Sequence, residues 1–249
     1  LKLLLMRSFF FIFGKKNEVF RRTAVRRHTM NTPQTDILQI VNDFKSQSNL
    51  NDRYTSFDFC YNYFNHTDSN LLVENMEKSC LTLGFYLASW GMFRNSFLLD
   101  KSVKYYQPTI NYIASLDKSV WQIDVDNYTD ENVKIILEIY RNVKALLVEN
   151  GCSDLTLVTK VQLGVFGFIP AFDDYFCKTF RGLADGACGF RKVNLKSLTQ
   201  IRIFYETNRT VIDDIAENTF TFDFTTELKT TTNYPKAKII DMYGFSRRQ

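Results

Sequence analysis

The stretch TDENVKIILEIYRNVKALLVENG, residues 129–151, holds a start signal, a periodic apolar stripe and a stop signal for one helix. Thr129 can cap the free N–H groups of the first turn, and Asp130 and Glu131 behind it face the positive end of the helix dipole. Val133, Ile136, Leu137, Tyr140, Val143 and Leu147 recur at intervals of three and four, the spacing that lines one face of a helix. Gly151 then supplies the residue that accepts a left-handed exit. The stretch predicts a long amphipathic helix that needs neighbours to cover its stripe.

The same periodicity recurs on both sides. Upstream, Ile37, Ile40, Val41 and Phe44 predict a helix from Thr35, and Phe57, Cys60, Tyr61 and Phe64 a short second one. Residues 71–99 are the most apolar segment, and their second half is greasy on nearly every face, which predicts a helix in the middle of a bundle. Gly84, Ala88 and Gly91 would let a neighbouring helix approach closely. Residues 102–116 predict a helix restarted at Pro108, and residues 121–127, with Trp121, Ile123 and Val125 alternating, read as an extended connector or a short strand.

Downstream, Ser153 is placed to cap a helix opening the run LTLVTKVQLGVFGFIPAFDDYFCKTF, residues 155–180. Pro170 would start the next helix, with Asp173 and Asp174 in its first turn. A Gly-rich loop at residues 181–192 lacks the G-K-[ST] ending of a phosphate-binding P-loop. Helices follow from Asn194 to Tyr205 and over residues 211–215, then a polar Thr-rich linker at 219–233 and a last helix at 235–243. Only ten Gly and four Pro leave little material for the tight turns of a sandwich. The fold class is therefore all-α: a single-domain multi-helix bundle over residues 31–249, with about eight to ten helices.

Composition excludes several classes. The net charge of +4 is misleading, because the first 30 residues carry +7 and the remainder −3, so overall basicity does not point to nucleic acid. Residues 1–29 read as a disordered basic and apolar arm or an overextended reading frame ahead of Met30, with a membrane-surface anchor as the functional alternative. Arg7 splits its apolar run, which is too short for a transmembrane segment. Five scattered cysteines without a C-x-x-C pair argue against a disulfide framework or zinc ribbon, and predict a cytoplasmic, reducing location. Two histidines leave no His-rich metal site and no Ser-His-Asp triad, so no metal or cofactor is expected.

Two residues carry the candidate chemistry. Lys160 has apolar neighbours at 157, 158, 161 and 163. It either snorkels out along the polar edge made by Thr156 and Thr159, or lies desolvated, where a lysine becomes a usable nucleophile or base. Asp173 either caps a helix or presents its carboxylate to a pocket as an acidic partner. Seven basic residues against two acidic ones between 178 and 209 make a local basic run that could neutralise phosphates. Arg181, Arg191, Lys192 and Lys196 are its candidate DNA or phosphate contacts.

Three stretches carry a resemblance: FYLASWGMFRNS (85–96), TKVQLGVFGFIPAFD (159–173) and YPKAKIIDMY (234–243) are similar to an uncharacterised family of bacterial proteins. That resemblance covers residues 31–249 and brings no activity with it. More distantly, T-K followed by an apolar helix and P-x-x-D resembles the helix-hairpin-helix DNA glycosylases over about 25 residues. That second resemblance implies an all-α enzyme that binds DNA and uses Lys160 as nucleophile or base with Asp173 beyond it. The chain departs from it in reading NGCSDLTLV where the phosphate-binding L-P-G-[VI]-G hairpin would stand, and in a short lysine-to-aspartate interval. The competing expectation is a non-catalytic helical interaction module, associated with phage defence or mobile elements, in which these residues are structural.

Overall fold

The computed structural model describes residues 34–46 and 49–246. The expectations for residues 1–29 and for a start at Met30 lie outside them. The described residues are 68% helical and comprise eleven α-helices and one two-stranded sheet.

The helices are α1 (Gln34–Ser46), α2 (Ser56–His66), α3 (Ser69–Glu74), α4 (Met76–Ser89), α5 (Gln107–Ala114) and α6 (Asp130–Leu147). After them come α7 (Leu155–Phe166), α8 (Asp174–Leu183), α9 (Leu195–Thr207), α10 (Arg209–Glu217) and, beyond the strands β1 (Phe220–Phe222) and β2 (Lys229–Asn233), α11 (Lys236–Ser246). Locally encoded helices start as their caps dictate. Thr129 Oγ1 accepts the Asn132 N–H at 3.2 Å to open α6. Asn194 and Ser197 exchange side-chain bonds with each other's backbone N–H, both at 3.0 Å, to open α9.

Two helices are buried on every side. In α7 all residues from Leu157 to Phe166 are buried, and in α11 all from Ala237 to Gly244. Helices α2, α4 and α6 pack around α7, while α1, α8 and α10 pack around α11. Close approach is made possible by small residues in these two helices: a Cβ on Gly164 would run into the Tyr86 ring, and one on Gly244 into Phe176. The described residues form a single compact body.

Five local expectations are corrected. The apolar segment at 71–99 is not the central helix; it breaks at Asn75, and Leu81 and Phe85 of α4 are 50% and 70% exposed. The centre is taken by α7 and α11, so one face of α4 is left to solvent, and Gly84 receives the ring of Tyr106 rather than another α-helix. Residues 121–127 form neither a strand nor an extended connector but two 3-10 turns, Lys118–Gln122 and Val125–Asn127, capped by Asp117 and Asp124. The residue at the N-cap of α7 is Asp154, not Ser153; its carboxylate makes no cap bond because Lys144 and Tyr140 hold it at 2.7 and 3.0 Å. Pro170 does not open a helix: α8 begins at Asp174, with Asp173 as its N-cap.

The Thr-rich stretch is no linker but an antiparallel hairpin. Its β1 edge is held by α2, where Asp58 and Asn62 sit one turn apart. Asp58 Oδ2 accepts the Phe222 N–H, and Asn62 Nδ2 donates to the Phe222 carbonyl, both at 2.9 Å. Thr221 Oγ1 donates to Asn62 Oδ1 at 2.8 Å. Two helix side chains thus stand in for the missing neighbouring strand and satisfy backbone groups that burial would otherwise leave unpaired.

Candidate functional site

Sequence reasoning singled out Lys160 and Asp173, and the fold brings them together. Gly167 ends α7 in the left-handed conformation, φ 76°, with Pro235 and Tyr61 too close to allow a side chain there. The chain reverses through residues 168–172, all buried. Lys160 Nζ lies 3.1 Å from Asp173 Oδ2, while Asp173 Oδ1 accepts the Phe176 N–H at 2.9 Å as the cap of α8. Lys160 is 2% exposed, so it does not snorkel; Asp173 is 14% exposed.

The buried reversal has no secondary structure of its own, so side chains satisfy its backbone. The Trp121 indole N–H donates to the Val165 carbonyl at 2.8 Å and the Tyr128 hydroxyl to the Phe168 carbonyl at 2.6 Å. Asp241 Oδ1 accepts the Ala171 N–H at 3.0 Å, and Thr159 Oγ1 accepts the Phe172 N–H at 2.8 Å. The other Asp241 oxygen pairs with Lys238 Nζ at 2.9 Å, both residues being 2% exposed. Lys160 and Lys238 then meet at one ring: their ammoniums lie 4.4 and 4.8 Å from the centroid of Trp90, in reach of a cation–π attraction. Residues 85–96, 159–173 and 234–243 converge on this ring, contributing Trp90, Lys160 and Lys238 in turn.

Lys238 also reaches the floor of a cavity of about 430 Å³ enclosed by α1, α2, the hairpin and α11. Its walls are rings and chains from Phe44, Tyr54, Phe220, Phe222 and Met242. Asp58 lies at its floor, 0% exposed, with Oδ1 accepting from the Tyr234 hydroxyl at 2.5 Å. Burial pushes its carboxyl up to about 6, against the opposing pull of the Tyr234 and Phe222 hydrogen bonds and the charge of Lys238. Lys45 and Lys229 also line the cavity. Lys45 donates to Thr219 Oγ1 at 2.8 Å, and its ammonium is held below the usual lysine range, first by burial and then by the like charge of Lys229, with Asp58 partly compensating. Neither lysine forms an ion pair among the described residues.

The remaining candidates are all exposed: Arg181 in the last turn of α8, Arg191 and Lys192 on the α8–α9 connection, and Lys196 in the first turn of α9. Arg181 Nε donates to the Gly189 carbonyl at 3.2 Å, and none of the four forms an ion pair among the described residues. Their loop is anchored by Phe190, whose ring packs 5.6 Å from Phe172, the residue before Asp173.

Sequence reasoning missed Lys238, Asp241, Trp90, Asp58 and the cavity cations. The first two were visible as a Lys-x-x-Asp spacing on an apolar helix, and Asp58 as an acid inside the aromatic run SFDFCYNYF. Among the described residues no group of His, Cys, Asp and Glu is arranged to hold a metal ion, and no helix is long and apolar enough to cross a membrane. Comparison with protein-family models, curated proteins and solved structures finds no match to this chain.

Proposed function

We propose that this protein is a binding module rather than a catalyst, and that its ligand occupies the cavity between α1, α2, the hairpin and α11. The observation that carries this reading is the contrast between two sets of charges. Lys160, Asp173, Lys238 and Asp241 are consumed by one another and by the backbone of the 168–172 reversal. Lys45 and Lys229 face a cavity of a size typical for small molecules, with aromatic walls, and neither forms an ion pair among the described residues although Asp58 lines the same cavity. A thermal-shift screen of small organic acids and their neutral analogues tests it. At least one compound should raise the unfolding midpoint in a saturable way, and Asn218→Phe, which adds bulk to the cavity lining, should abolish the rise. No shift from any compound would count against the module.

A second reading, a DNA-associated protein resembling a helix-hairpin-helix glycosylase, is favoured by the 3.1 Å approach of Lys160 to Asp173 and by the four exposed cations of residues 181–196, none in an ion pair among the described residues. On this reading Lys160 passes a proton to Asp173 and its amine attacks the sugar carbon as the glycosidic bond breaks and the damaged base leaves with the bonding pair, while Arg181, Arg191, Lys192 and Lys196 contact phosphates. Borohydride trapping on damaged duplex DNA should then give an adduct that Lys160→Ala abolishes. DNA affinity should fall with salt, less steeply once two of the four cations are removed.

A further inference from the structure

We infer that the cavity takes an organic monoanion, an acid group on a flat apolar body, with the charged head between Lys45 and Lys229 and the body against the aromatic walls. This rests on the binding reading and specifies its ligand class. Lys45 comes from the last turn of α1 and Lys229 from the start of β2, so two separate elements deliver ammoniums to the same cavity. Both line the one cavity with Asp58, the charge of Lys229 outweighs that of Asp58 at the Lys45 ammonium, and neither lysine forms an ion pair among the described residues. Among the residues lining the cavity only the Asp58 carboxylate offsets Lys45 and Lys229, so part of their repulsion stands in the empty site, and an anionic ligand relieves it.

Charge balance sets the ligand's valence. Lys45, Lys229 and Lys238, taken against Asp58 and the Asp241 that pairs with Lys238, leave one net positive charge at neutral pH. A single negative head neutralises it; a second would meet the Asp58 carboxylate at the floor. That carboxylate already accepts from Tyr234 and Phe222, so it does not draw Lys45 into a pair of its own. The rest of the lining offers flat contact: Phe44, Tyr54, Phe220 and Phe222 present rings.

The test uses the full chain and two fluorescent probes with the same ring body: 8-anilinonaphthalene-1-sulfonate, a monoanion, and uncharged N-phenyl-1-naphthylamine. The sulfonate should bind at least about tenfold more tightly than the neutral probe. Lys45→Met/Lys229→Met should remove that preference while leaving the neutral probe's affinity unchanged, and added salt should weaken the sulfonate alone. Lys229 is exposed, so Lys229→Met by itself keeps the test readable if the double variant unfolds, with a loss of about half the preference on a logarithmic scale. Equal binding of both probes, insensitive to the lysines but abolished by Asn218→Phe, would overturn the monoanion and leave the binding module standing. Failure of both probes to bind, or binding indifferent to Asn218→Phe, would overturn both.

Discussion

Lys238 shows what a single buried charge does in this fold. Its ammonium neutralises Asp241, whose other oxygen holds the Ala171 N–H, so the pair ties α11 to the reversal that follows α7. Lys238→Met keeps the side-chain volume but leaves a carboxylate buried without its cation, and should destabilise the protein by about 3 kcal/mol. Lys238→Met/Asp241→Asn should recover much of that loss, because Asn still accepts the Ala171 N–H; urea midpoints of the single and double variants measure it. Asp58 makes a different prediction, in pH. Its carboxyl titrates at about 6 in the folded protein and at the ordinary 3.8 when unfolded, so between those values the folded state holds a proton that the unfolded chain has lost. The associated stability is full below pH 4 and is lost as pH rises through 6, a change of about 1 kcal/mol between pH 5 and 7. Asp124, which accepts the first N–H groups of α11 from Lys236 and Ala237, is raised to about 6 by the same loss of water and adds in the same direction. The thermal midpoint should therefore be higher at pH 5 than at pH 7, and Asp58→Asn should flatten part of the difference.

At the scale of elements, glycine contacts and side-chain bridges set the tolerances. Gly164→Ala forces a methyl into the Tyr86 ring and should destabilise by about 2 kcal/mol, read from the denaturant midpoint. Asn62→Ala removes the bonds to the Phe222 carbonyl and Thr221 hydroxyl, and should release the hairpin from α2, with faster amide exchange over residues 220–233 than in α6. These contacts also explain what could be read from the chain. Helices α6 and α9 were legible because their caps lie within four residues of the groups they satisfy. The hairpin was not, since Thr230, Thr231 and Thr232 suit a strand only once β1 pairs with them, and β1 is held in turn by α2, some 160 residues before it. The approach of Lys160 to Asp173 was half legible. Its residues stood out, but their meeting depends on the turn at Gly167, and the placing of Lys160 and Lys238 against the Trp90 ring depends on packing that no local pattern encodes.

At the scale of the molecule, the body closes by setting α11 between α1, α8 and α10. A chain ending at Asn233 should lose far more far-ultraviolet helical signal than the eleven residues of α11 account for, because the cores of three other helices lose their common partner. About 190 residues separate the end of α1 from the start of α11. At a synthesis rate of about 5–20 residues per second, α1 waits roughly 10–40 s on the ribosome for the helix that will cover Ile37 and Val41. Maturation therefore finishes late: α10 covers part of the first described helix, but the rest of its apolar face waits for the last helix to emerge.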